Sequence, residues 1–137
     1  MASIVLTGAF AAGCATMAAE SATETYSATL APGAGITSSG AGTGAFTFDP
    51  ETKVLTYTVD HHGLSGPAMA AHIHGPADPG ASAGVAVPFA NAASPITGTV
   101  TLTEAQIADL QAGKYYVNVH TAANRGGEIR GQIIRAH

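Results

Sequence analysis

The sequence predicts an all-β protein, an antiparallel sandwich or barrel of about eight strands with one short helix. Two observations carry this. Beyond residue 22 apolar residues recur at every second position, the period at which a strand sends successive side chains to opposite faces. Turns rich in Gly and Pro break that alternation at short intervals, as antiparallel connections do.

Taken in order, "TYSATLA" (25–31) places Tyr26, Ala28 and Leu30 on one face, and "PGAGITSSG" follows as a loop. "TGAFTF" aligns Phe46 with Phe48, and "DPET" supplies a turn with Pro50 near its start. "KVLTYTVDH" sets Leu55, Tyr57 and Val59 against Thr56, Thr58 and Asp60. After the loop "GLSGPAM" comes the short strand "AAHIHG". "GVAVPF" points Val85, Val87 and Phe89 one way, and "ITGTVTL" does the same with Ile96, Gly98, Val100 and Leu102. The last strands are "KYYVNVH" and "GEIRGQII". The helix falls before them: Thr103 and Gln106 have capping-box spacing, Gly113 stands at the stop, and Ile107 and Leu110 share a face.

Composition narrows the function. The 137 residues suit one domain, and only 10% are charged, against roughly a quarter in an average soluble domain. A net charge of −4 without a Lys/Arg cluster argues against a nucleic-acid surface. Cys14 is the single cysteine, so no disulfide forms within one chain. The first charged residue is Glu20, and "SIVLTGAFAAGCATMAA" reads as a signal-peptide core running into small residues. "AAGC" resembles a lipobox with Cys14 as the lipidated, membrane-attaching residue. The chain therefore divides into an export or lipoprotein-like segment over 1–21, or a disordered tail, and a β domain over 22–137. Nothing after residue 20 has the length and apolarity of a membrane-spanning helix. "GLSGP" lacks the strand-turn-helix context of a nucleophile elbow, and "GPADPGASAG" lacks the Lys and following helix of a phosphate cradle.

Strand parity assigns the histidines. Val117 and Val119 claim the core, turning Tyr116, Asn118 and His120 outward. Ile73 does the same for His72 and His74. Past Val59, parity puts His61 inside and His62 outside, and either can contribute to a site. Ile129 and Ile133 are buried in this reading, leaving Glu128, Arg130 and Gln132 exposed. His72, His74 and His120 thus share the outer face and form the candidate metal site. A His-x-His pair spans roughly 6.5–7 Å between Cα atoms, which suits two imidazoles on one ion. Three neutral imidazoles favour copper or zinc over magnesium or calcium, and Cu(II) on affinity. The competing reading is three solvated polar residues. Glu128 is expected beside His120, accepting the ring's other N–H and orienting it.

The stretches "GLSGPAMAAHIHGPA" and "GKYYVNVHTAANRGGEIRGQI" resemble the CHRD domain, a module first named from chordin and common in bacterial exported proteins. The resemblance covers residues 24 to 135. Arg125 stands where the motif has proline, a change confined to a turn. The chain also resembles, more distantly, the copper/zinc superoxide dismutases, Greek-key barrels whose copper is held by a His-x-His and later histidines. That likeness implies a Greek-key order here, with His72 and His74 as the pair, His120 as the last ligand and His62, His61 or water as a fourth. Residues 75 to 119 contain no histidine, so no paired zinc is expected.

The leading expectation is an exported CHRD-domain protein binding one copper ion. The alternatives are a metal-free interaction or structural surface module, and a copper-only dismutase-like enzyme. In the last, Arg130 would draw in the anion; otherwise it pairs with Glu128 or Asp60. The protein partner, if any, is not specified by the residues.

Overall fold

The alternating segments become nine strands and one helix in the computed structural model, which describes residues 23–136. The strands are β1 (Glu24–Pro32), β2 (Ala41–Asp49), β3 (Val54–His62), β4 (Ala68–His74), β5 (Val85–Pro88), β6 (Ile96–Thr101), β7 (Tyr116–Thr121), β8 (Ile129–Gln132) and β9 (Ile134–Arg135). Helix α1 (Glu104–Gln111) joins β6 to β7. The segment 1–21 with Cys14, and His137, lie outside the described residues. No helix among the described residues is long and apolar enough to cross a membrane.

Every pairing is antiparallel, in the order β5-β4-β7-β8-β1-β2-β3-β6, with β9 added beside β1. Two crossovers make this a Greek key: β6 returns beside β3, and β7 returns beside β4. The sheet curls into a nearly closed barrel whose seam lies between β5 and β6. Inside, the residues picked out by alternation meet: Tyr26, Leu30, Phe46, Phe48, Leu55, Val59, Ile73, Val117, Val119 and Ile129 are all at most 1% exposed. Burying one such large side chain contributes about 1.5–3 kcal/mol relative to leaving it in water. Gly98 has a packing reason. A Cβ there would lie 2.5 Å from the Tyr57 hydroxyl, so the ring occupies the room the missing side chain leaves.

Two sequence expectations are corrected here. Val85 was expected to point inward with Val87, but it is exposed. The register of β4 against β5 slips between Ile73 and His74, so His74 faces Val85 where regular pairing would give Ala86, and alternation breaks there. Glu128 was expected on the exposed face and is fully buried. It precedes β8, in the turn from β7, where strand parity does not govern.

Candidate metal centre

The site is built on the outer face of β4 and β7. In their register His72 stands opposite Asn118, His74 opposite Tyr116 and His120 opposite Ala70. The three imidazoles therefore sit on neighbouring positions of one face, with ring centroids 5.4 Å (His72–His74), 5.0 Å (His72–His120) and 5.7 Å (His74–His120) apart. Each offers a ring nitrogen within 4.8 Å of the other two. Nitrogens sharing one ion at about 2.0–2.1 Å lie no more than ~4.2 Å apart, so closing on an ion takes less than about an ångström of movement.

This outer face is covered. The 75–84 loop lies over it, held by side chains beneath. Tyr116 exchanges hydrogen bonds with Ala83, Gln132 donates to Ala77 O (3.0 Å), and Arg130 donates to Ala81 O (2.6 Å). The β7–β8 turn covers the other side, where the Asn118 amide donates to Gly126 O (3.0 Å). Its close approach requires Gly127, at φ 123°, because a Cβ there would come within 2.0 Å of Asn118 Oδ1. As a result Tyr116 and Asn118, outward-facing by parity, are buried.

The covering loops orient the rings. His74 Nδ1 donates to Ala83 O at 2.9 Å, and His120 Nδ1 donates to Arg125 O at 2.7 Å. A carbonyl only accepts, so the neutral form of either ring carries its proton on Nδ1 and its lone pair on Nε2. His74 Nε2 is buried and has no hydrogen-bond partner. His120 Nε2 faces His72 Nδ1 at 3.2 Å, a separation at which two lone pairs need a proton or a cation between them. Burial foremost, then the neighbouring His120 and His74, pushes the His72 imidazole below its ordinary 6.5. Burial also pushes His74 down, partly offset by the bond to Ala83 O, with His120 and Arg130 adding to the fall. Both shifts favour the neutral form that ligation requires.

The remaining candidates are elsewhere. Neither His61 nor His62 joins the cluster: His61 donates from Nε2 to Ala92 O (2.7 Å), and His62 is exposed at the end of β3. Glu128 does not reach the His120 ring, whose Nδ1 is taken by Arg125 O; its carboxylate is bound by Ser38, Ser65, Thr121 and Asn124. The expected role beside His120 is therefore corrected. Arg130 pairs with neither Glu128 nor Asp60. Its guanidinium lies 3.8 Å over the Tyr116 ring, and that ring stacks in turn on His74 (5.1 Å, 12°). Sequence reasoning missed the two orienting carbonyls, because any residue supplies one and no side-chain identity marks them.

Fold and cluster together define a Greek-key β-barrel protein with three converging imidazoles under its outer loops. Residues 18–133 match the family model of the CHRD domain, and the chain belongs to that family. No curated protein and no solved structure gives a match.

Proposed function

We propose that this is an exported copper-binding protein, holding one ion between His74 Nε2, His120 Nε2 and His72. The observation that carries the reading is the buried, unpartnered Nε2 of His74, in a ring whose other nitrogen is already committed. A buried polar atom without a partner costs about 1–3 kcal/mol, and a metal ion would satisfy it. Three neutral imidazoles without a carboxylate favour copper among the biological divalent ions. The uncharged residues 1–19 support export, which would bring the site to copper outside cytosolic buffering.

Titration with Cu(II), followed by electron paramagnetic resonance, tests this. One ion per chain with nitrogen hyperfine structure is expected. His72→Ala, His74→Ala and His120→Ala should each lower affinity by about 10–100-fold or more, since each removes a ligand and loss of a mere supporting group already costs that much. His62→Ala should bind as wild type does. Protons compete for the ligating nitrogens, so binding weakens on acidification. Because the His72 and His74 values are lowered, those two rings should resist protonation to below pH 6.5. Wild-type copper affinity in all three alanine variants would overturn the three-histidine site, and wild type that binds no copper would leave a metal-free interaction module as the reading.

A further inference from the structure

Met69 is 60% exposed, and among the described residues only Val85 and Ile134 are other large apolar side chains at the surface. It lies within the register slip between Ala68 and Ala70 in the pairing of β4 with β7. Regular alternation would send residue 69 to the opposite face from Ala70 and His72. The slip instead lets Met69 line a shallow cleft of about 360 Å³ together with His72, His120 and Arg125. This cleft is an opening onto the imidazole cluster.

The charges around the cluster are one-sided. Its three candidate ligands are imidazoles, which ligate in the uncharged form. Asp78, the carboxylate nearest in sequence after the His-x-His pair, is engaged by Lys114 at the surface, and Glu128 is enclosed by its own donors. The guanidiniums present are Arg125 in the cleft and Arg130 over Tyr116. A fixed positive charge repels a divalent ion twice as strongly as a monovalent one at the same distance. A thioether is a soft ligand that favours Cu(I), whereas imidazole accepts either oxidation state.

Resting on the copper reading above, we propose that Met69 is a further ligand that closes over the ion from the cleft and makes the site selective for Cu(I). The three imidazoles hold copper in either state. Met69 engages the reduced ion only, and the neutral ligand set beside Arg125 favours the lower charge. Binding transfers no electron in this scheme; Cu(I) arrives reduced.

The test measures both ions on the full chain, wild type and Met69→Leu, a change that keeps the apolar bulk and removes the sulfur. Cu(I) affinity is measured anaerobically by competition with a chromogenic Cu(I) chelator, and Cu(II) by paramagnetic resonance. Met69→Leu should weaken Cu(I) binding by about 10–100-fold, the loss typical when a group supporting a metal site is removed. Its Cu(II) spectrum and affinity should match wild type. A tenfold selective loss equals a fall of about 59 mV in the Cu(II)/Cu(I) potential. X-ray absorption should show a copper–sulfur path in the Cu(I) wild type that Met69→Leu lacks. Equal Cu(I) affinities with Cu(II) binding intact would overturn the role of Met69 and leave the three-histidine reading standing. Failure of wild type to bind either ion would overturn both.

Discussion

A carboxylate sealed from water keeps its charge only where donors replace its hydration shell. Around Glu128 five do so: Ser38 Oγ (2.6 Å), Ser65 N (2.8 Å), Ser65 Oγ (2.6 Å), Thr121 Oγ1 (2.6 Å) and Asn124 Nδ2 (3.3 Å). These bonds, led by Ser38, then Ser65 and Thr121, hold its carboxyl well below the ordinary carboxylate value of 4.5, outweighing the opposing push of burial. The sign follows from linkage. The folded state binds this proton more weakly than the unfolded one, so the stabilisation is complete above the unfolded value of 4.5 and is lost as pH falls below it toward the folded value. The melting temperature of wild type should therefore fall through that acid window. Glu128→Gln should melt lower at neutral pH and show a flatter acid limb. An acid limb identical to wild type would assign it to other carboxylates.

At the scale of elements, helix α1 is the part most plainly written in the sequence. Thr103 accepts from Gln106 N (3.2 Å), and the Gln106 side chain accepts from Thr103 N (2.9 Å), the reciprocal pair that the T-x-x-Q spacing implies. Leu110 then anchors the helix to the core. Thr103→Ala should cost about 1 kcal/mol in urea denaturation, as loss of an N-cap does, and leave the proposed copper binding unchanged. Strands of regular alternation were equally legible, β1 to β3 above all. The departures from sequence reading sit where alternation fails: at the register slip that turns Val85 out, and in the turn that buries Glu128. Neither leaves a trace in hydrophobic period, because a slip depends on how two strands meet and a turn has no period.

For the molecule as a whole, the convergence of His72, His74 and His120 was legible because parity on two strands settles which face each ring takes. That β4 and β7 are neighbours was not derivable from period alone; the Greek-key crossover that pairs them came from resemblance. The proposed export is tested at Cys14. Fatty-acid labelling in a bacterial host should mark wild type but not Cys14→Ser, and unlabelled protein confined to the cytoplasm would sink the idea. One feature of the site also bears on how such a sequence can drift. His74 and His120 are aimed by the carbonyls of Ala83 and Arg125, groups every amino acid carries. Arg125 therefore acts here through an acceptor that any residue at its position would keep. Substitution of Ala83 or Arg125 should leave the two orienting bonds in place, whereas inserting or deleting one residue in either loop would move its acceptor off its ring. At these two positions, loop length rather than the side chain is what selection on the site would preserve among descendants of this chain.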